Sequence, residues 1–112
     1  MSDCLFCRIV DGDIPADIVY KDEQVIVFRD IAPKAEVHLL MIPRLHIASL
    51  NELNADHSAL ISHMMLLLPK LAEDQGLEHG FRTIINTGKG GGQEVFHLHI
   101  HIMGGNNLPG FN

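Results

Sequence analysis

Basic residues are scarce in this chain, and long apolar runs are missing altogether. The 112 residues include eight Lys plus Arg against fourteen Asp plus Glu, which gives a net charge of -6. Binding to nucleic-acid polymers or anionic membranes needs a cationic face, so this balance argues against both kinds of partner. No stretch reaches the roughly 18 consecutive apolar residues of a membrane span, and the first residues lack a basic region followed by an apolar run. We therefore expect a cytoplasmic protein.

Cysteine is also rare, because only Cys4 and Cys7 are present. Two cysteines three residues apart in such a compartment are typical of thiols, a redox pair or metal ligands rather than of a structural disulfide. The chain is long enough for one domain, residues 1–112, with a single core that buries roughly two-thirds of the unfolded surface.

The apolar periodicity predicts an α+β protein with an antiparallel sheet. Five strands are predicted over 18–20, 25–29, 38–42, 81–86 and 97–103. A short helix is predicted over 4–10 and a long one over 54–75, with Asn54 or Asp56 as its N-cap and Gly76 at its end. Residues 64–68 of the long helix are apolar nearly all round, which suggests burial against another subunit.

Three histidines alternate with aliphatic residues in the stretch His97-Leu98-His99-Ile100-His101-Ile102-Met103. At the two-residue period of a strand, the histidines share one face and the aliphatic residues form the core face. A strand face that merely happens to carry histidine is the plain alternative, but such clusters usually mark a metal or catalytic site. His97 and His101 lie ~13 Å apart along a regular strand, too far for all three to bind one metal without a bend. A row acting on an extended anionic substrate fits better than a zinc site.

The segment before the histidines is rich in glycine: Asn86-Thr87-Gly88-Lys89-Gly90-Gly91-Gly92-Gln93-Glu94. Glycine lets the backbone fold tightly and turn its N–H groups toward an anion. A flexible hairpin loop is the plain alternative, since no Walker or dinucleotide pattern is present. A glycine loop that leads directly into histidines places backbone donors beside nucleophile candidates, as phosphorus chemistry requires.

The histidine stretch resembles the motif His-φ-His-φ-His-φ-φ of the histidine triad (HIT) superfamily. Residues 91–96 and 104–105 are similar to the flanks of its Hint branch, and the similarity extends to residues 28–33 and 38–43. The resemblance implies a five-stranded antiparallel sheet with one long and one short helix, extended across a homodimer. It also implies a hydrolase that cleaves the P–N bond of adenosine or guanosine 5'-phosphoramidates. The products would be the nucleoside monophosphate and an amine, formed through a covalent nucleotidyl-histidine without a catalytic metal.

The resemblance assigns catalytic roles to four histidines. His99 would attack the α-phosphorus, as an imidazole can near neutral pH. His101 would hold a phosphate oxygen, His38 would fix the tautomer and orientation of His99, and His97 would support them from behind. The phosphate would also meet residues of the glycine loop, namely Asn86, Gly92, Gln93 and Glu94; a serine takes the last of these positions in eukaryotic members.

For the nucleoside, Asp30 is the carboxylate expected on the ribose hydroxyls, because two oxygens can accept from a vicinal diol. An ordinary turn aspartate is the equally good alternative at this position. The family's apolar slot for the purine would be formed by Phe6, Ile9, Ile14, Phe28 and Ile31. A core role for each of these residues is the simpler alternative.

By the same resemblance, Cys4 and Cys7 would join His46 and His97 in a structural zinc site, which is not needed for catalysis. Two other functions stay open. One is a zinc hydrolase that uses the histidine row as ligands. The other is a non-catalytic nucleotide sensor or interaction module.

Overall fold

The computed structural model describes residues 3–106 and 108–110. Two helices and five strands follow one another in the order that the sequence predicts. They are α1 (Leu5–Val10), β1 (Ile18–Lys21), β2 (Val25–Arg29), β3 (Val37–Pro43), α2 (Ser58–Asp74), β4 (Arg82–Ile84) and β5 (Ile100–Gly104). In the described part of the chain, no helix has the length and apolarity needed to cross a bilayer.

All five strands form one antiparallel sheet in the order β1-β2-β3-β5-β4. The predicted hairpin of β1 and β2 is therefore confirmed, and β4 is one edge of the sheet. Strands β3 and β5 are neighbours, with Leu40 opposite His101 and His38 opposite Met103. Their pairing places His38 and His101 close together, although 63 residues separate them.

Both faces of the sheet are covered. On one face, α2 packs onto a buried cluster contributed by the sheet, Val25, Val27, Leu39, Met41, Ile100 and Ile102. On the other face, Phe6 and Ile9 of α1 pack onto a second cluster, Ile26, Phe28, Leu40 and Ile42. The face that carries the histidines is consequently not open, and His97 is 0% exposed.

The predicted strand 97–103 is too long at its beginning, because β5 starts at Ile100. Met41 is opposite Ile100, so a longer ladder would set Pro43 opposite Leu98. Proline has no N–H to donate, and the ladder stops there. The Leu98 amide instead donates to the Ile47 carbonyl at 2.7 Å. The last strand before it is also shorter than predicted, covering 82–84 rather than 81–86.

The long helix is preceded by a 3-10 turn, Ala55–His57, rather than starting at residue 54. The Asn54 side chain accepts from the Asp56 amide and caps this turn, as an N-cap residue should. The helix ends where predicted, because Gly76 adopts φ 77° and the Leu77 amide turns back to the Ala72 carbonyl.

Candidate active site

Three imidazoles lie side by side, from His38 on β3, His101 on β5 and His99 just before β5. The ring centroids of His99 and His101 are 5.1 Å apart, and those of His38 and His101 are 5.2 Å apart. His38 and His99 are buried, and His101 is partly exposed. His97 is also buried.

The backbone fixes the proton on His99. Its Nδ1 lies 2.8 Å from the His97 carbonyl oxygen, which can only accept a hydrogen bond. Nδ1 of His99 therefore carries the hydrogen, and in the neutral ring Nε2 keeps its lone pair. A lone pair on Nε2 is what a nucleophile at this position requires.

A second chain of hydrogen bonds fixes the protons on His38 and His101. The Lys34 amide donates to His38 Nδ1 at 3.0 Å, so the hydrogen of the neutral His38 ring is on Nε2. Nε2 of His38 lies 2.9 Å from His101 Nδ1, which must accept. The neutral His101 ring consequently presents an N–H at Nε2. The expectation that His38 fixes the tautomer and orientation of His99 is thus wrong: His38 orients His101, and the His97 carbonyl orients His99.

The surroundings of these rings disfavour their charged forms. Burial lowers the pKa of His38 and of His97. Burial, together with the neighbouring His99 and His38, lowers the pKa of His101 to about 4. His101 is therefore uncharged at neutral pH, as its hydrogen-bond chain requires.

The glycine loop, which precedes the histidines in the chain, folds into a compact turn. The Asn86 amide group donates to the Gly91 carbonyl at 2.8 Å, and Gly92 adopts φ 86°, a conformation that favours glycine. Glu94 is exposed. Asn86, Gly92 and Glu94 thus lie in one loop that leads to the histidines.

Gln93 has a different role from the one expected, because its side chain is buried and fully engaged. Its oxygen accepts from the Gly88 amide at 2.8 Å, and its nitrogen donates to the carbonyls of Ala48 and Val95 at 2.7 and 3.0 Å. Both hydrogens of the amide are used within the protein. Gln93 therefore holds the loop in shape and has no side-chain donor left for a substrate.

Asp30 performs the turn role that the sequence leaves open. Its Oδ1 accepts from the Ala32 amide at 2.8 Å. Its Oδ2 lies 3.4 Å from His38 Nε2. One carboxylate oxygen thus shapes the loop, and the other faces His38.

Four of the five expected slot residues come together on the α1 side of the sheet. Phe6, Ile9 and Phe28 are buried in one cluster, and Ile14 packs against it. The fifth, Ile31, is 100% exposed in the loop after Asp30. Ile31 therefore lies outside the cluster that the other four form, and its place in the slot for a bound purine stays a prediction.

Cys4, Cys7, His46 and His97 form a group, here called the Cys/His cluster, whose possible ligand atoms all lie within 4.8 Å of one another. The two Nδ1 atoms are 3.3 Å apart, and three Sγ to Nδ1 distances are 3.2, 3.4 and 3.5 Å. Tetrahedral zinc with ordinary bond lengths separates two nitrogens by about 3.3 Å and a nitrogen from a sulfur by about 3.6 Å. His97 Nε2 donates to the Pro43 carbonyl at 2.7 Å, which leaves its Nδ1 lone pair facing the cluster. Donor set, spacing and tautomer all fit zinc.

Asp30, His38 and His101 form a second group with ligand-like spacing. Here the tautomers do not fit, because the Lys34 amide occupies His38 Nδ1 and keeps a hydrogen on Nε2, the atom that would bind the metal. The histidine row is thus divided between two groups, with His97 in the Cys/His cluster and His101 beside His38. This division disfavours a single metal bound by the whole row.

Comparisons with known proteins agree with this geometry. The family model described as scavenger mRNA decapping enzyme C-term binding matches residues 3–111. The structure superposes with a TM-score of 0.92 on a HIT family hydrolase from Legionella pneumophila Philadelphia 1, at 46% identity over 96% of each chain. This chain belongs to the histidine triad family. The five-stranded HIT fold expected from the sequence is confirmed.

Two curated relatives of this HIT protein cover nearly its whole length. Protein HitA of Neisseria gonorrhoeae is 54% identical over 104 residues, covering 93% of this chain and 97% of that protein. The purine nucleoside phosphoramidase of Escherichia coli K12 is 43% identical over 108 residues, covering 96% and 91% of the two chains.

Sequence reasoning missed the main-chain groups of this HIT protein that set the tautomers. The Lys34 amide, the His97 carbonyl and the Pro43 carbonyl each bond one imidazole. Residue type does not reveal which main-chain amides and carbonyls will bond a side chain. The only signal was Pro43 itself, whose missing N–H ends the ladder beside His97.

Proposed function

We propose that this protein hydrolyses the P–N bond of purine nucleoside 5'-phosphoramidates. The observation that carries the proposal is the pair of opposite proton states on adjacent rings. His99 Nε2 offers a lone pair and His101 Nε2 offers an N–H, with ring centroids 5.1 Å apart. The similarity to a purine nucleoside phosphoramidase supports the choice of substrate.

In the proposed reaction, His99 Nε2 bonds to the α-phosphorus while the P–N bond breaks. The positive charge on the His99 ring is stabilised by its Nδ1–H bond to the His97 carbonyl. His101 donates its Nε2–H to a non-bridging oxygen, where negative charge gathers. With its pKa lowered to about 4, His101 has no second proton to give at pH 7. The departing nitrogen therefore takes a proton from water, and the hydroxide that remains releases the monophosphate from His99.

The nucleoside would lie against the α1 side of the sheet. Phe6, Ile9, Ile14 and Phe28 offer an apolar wall for the purine. Exposed Ile31 could be covered by the bound base, and Asp30 Oδ2 would accept from the ribose. Asn86, Gly92 and Glu94 would line the phosphate side.

We also propose that the Cys/His cluster holds one structural zinc ion per chain. The zinc would join α1 to the loops that carry His46 and His97, and His99 would stay free to react. Elemental analysis of protein purified without added metal should find close to one equivalent of zinc, and Cys7→Ser should lower it. Less than about a tenth of an equivalent in the wild type would contradict this proposal.

A homodimer is the third proposal. Among the described residues, no strand pairs with the outer side of the edge strand β4, and Phe81 and Ile84 are 38% and 36% exposed. On α2, Met65 and Leu66 are 40% and 78% exposed. An edge strand and an apolar helix face of this kind are commonly covered by a second copy.

The test of the activity is amine release from an adenosine 5'-phosphoramidate with a fluorescent leaving amine, with and without chelator. His99→Ala should lower kcat by about 10⁴-fold or more, because it removes the nucleophile. His79→Ala is the matched control, since His79 is exposed in the loop after α2.

Each alternative function has its own outcome in this assay. Turnover that stops with chelator while the protein stays folded and still binds AMP, and that returns with zinc, would favour a zinc hydrolase. Wild type that binds AMP without turnover would favour a nucleotide sensor. Equal activity of wild type and His99→Ala would exclude the covalent mechanism.

A further inference from the structure

Helix α1 lies between the Cys/His cluster and the proposed nucleophile. It has six residues, well below the about 12–15 that an isolated helix needs to be stable. Its position must therefore come from its contacts. Cys4 and Cys7 lie one turn apart and approach His97 and His46, which are 93 and 39 residues away in the chain.

Phe6, between the two cysteines, reaches from this cluster to the active site. Its ring is edge-on to His97 at a centroid distance of 6.0 Å and to His99 at 5.2 Å. The same ring meets Phe28 of the proposed purine wall at 5.6 Å. One buried side chain thus contacts a cluster residue, the nucleophile and the slot.

A second route runs through the main chain of the same residues. The His97 ring belongs to the Cys/His cluster, and the His97 carbonyl accepts the Nδ1–H of His99. A movement of His97 relative to the sheet would displace both the acceptor of His99 and the ring that Phe6 contacts. The cluster and the nucleophile therefore cannot be arranged independently.

We propose that Phe6 is a positioning residue that couples the Cys/His cluster to the nucleotide site. A metal held by the cluster and a purine nucleotide held by the slot favour the same position of α1, so each strengthens the binding of the other. This inference rests on the proposed zinc and nucleotide sites and adds the coupling between them. Such coupling is reciprocal by thermodynamic necessity, so both ligands must show the same factor.

The experiment measures two affinities, each in two states. The dissociation constant of AMP is determined by calorimetry on zinc-loaded and on metal-free protein. The dissociation constant of zinc is determined by competition with a chromogenic chelator, with and without saturating AMP. We expect zinc to strengthen AMP binding on the order of 10-fold, and AMP to strengthen zinc binding by the same factor.

A pair of matched variants tests the role of Phe6. Phe6→Leu keeps an apolar side chain and removes the ring contacts, so the coupling factor should fall toward one while zinc stoichiometry is retained. Phe96→Leu makes the same substitution at a residue that is 48% exposed beside His97, and it should keep the wild-type factor. Zinc-loaded Phe6→Leu should also bind AMP less tightly than zinc-loaded Phe96→Leu. This comparison uses only zinc-loaded protein, so it can be made even if the metal-free protein unfolds.

The outcomes separate the inference from the proposals beneath it. Absence of zinc binding, or of AMP binding by either form, would overturn the corresponding proposal and the coupling with it. Independent binding of both ligands, with a factor near one, would overturn the coupling alone. A wild-type factor in Phe6→Leu would remove Phe6 from the coupling.

Discussion

Main-chain groups decide what each imidazole of this site can do. The Lys34 amide places the hydrogen of His38 on Nε2, and the His97 carbonyl places that of His99 on Nδ1. Histidine is the one common side chain whose two nitrogens exchange donor and acceptor roles at neutral pH. The backbone therefore divides similar side chains into one with a lone pair and one with a donor.

His38 accepts a hydrogen bond from the Lys34 amide and donates one to His101. We therefore predict that His38 can be replaced by a side chain that has both an acceptor and a donor. In His38→Gln, the amide nitrogen can still donate to His101, so kcat should stay within about 10-fold of the wild type. In His38→Leu, of similar volume but without a donor, kcat should fall by about 100-fold or more. The measurement is single-turnover hydrolysis of the fluorescent phosphoramidate. Equal rates for the two variants would mean that His38 acts only by filling space.

The lowered pKa of His101 predicts how stability depends on pH. The folded protein holds His101 neutral down to about pH 4, whereas the unfolded chain takes up a proton near 6.5. The unfolded state therefore binds more protons between these values, and the free energy of unfolding should decrease as pH falls from about 6.5 to about 4. His101 should account for up to about 3 kcal/mol of this decrease.

Urea unfolding of wild type and His101→Gln at several pH values measures the effect. The slope should be smaller in the variant and should not vanish, because the pKa values of His38 and His97 are lowered as well. His79→Gln, at an exposed position, should leave the slope unchanged. The same slope in wild type and His101→Gln would show that the His101 ring is not held neutral.

Among the helices and strands, those determined by neighbouring residues in the chain were predicted correctly. The apolar run 25–29 predicted β2 and the apolar residues of 4–10 predicted α1, because both elements are determined by consecutive residues. The beginning of β5 was predicted wrongly because it depends on Pro43, which lies 55 residues before Leu98. The side-chain role of Gln93 was missed for the same reason, since it depends on Ala48, which lies 45 residues away in the chain.

The hairpin of β1 and β2 is joined to α2 by one carboxylate that the sequence did not single out. Asp22 Oδ1 accepts hydrogen bonds from the amides of Gln24 and Val25. Asp22 Oδ2 lies 2.7 Å from the Tyr20 hydroxyl, which donates to it, and 2.7 Å from Nε2 of His63 on α2. Burial raises the pKa of Asp22, but these hydrogen bonds together hold it well below its usual range. This ionised carboxylate therefore ties the turn to the helix.

Asp22→Asn should lower the free energy of unfolding by about 2 kcal/mol at pH 7, because one amide oxygen cannot replace two carboxylate oxygens. Glu23→Gln, at the exposed neighbouring position, should change it by less than about 0.5 kcal/mol. The contribution of Asp22 is present above about pH 4 and is lost as pH falls below that value, a range distinct from that of His101. Urea unfolding of both variants checks these values, and a loss in Glu23→Gln as large as in Asp22→Asn would refute the assignment.

At the scale of the whole molecule, the helices cover both faces of the sheet and leave its edges uncovered by any strand among the described residues. The edge strand β4 has only three residues and pairs with β5 along one side. Pairing of two β4 edges about a two-fold axis would give one continuous sheet of ten strands. This arrangement is the one that the family resemblance implies.

The dimer predicts that a charge at either exposed apolar surface shifts the protein to the monomer. Ile84→Lys on the edge and Leu66→Glu on α2 should each raise the dimer dissociation constant by about 100-fold or more, because every substitution occurs twice in a symmetric dimer. Light scattering at micromolar concentration should give twice the 12.4 kDa chain mass for the wild type and a value near one chain mass for both variants. Leu45→Lys, at a residue that is 57% exposed in the loop after β3, is the control and should stay dimeric. A wild-type mass of one chain would refute the dimer, whereas dimeric variants would place its interface on another surface.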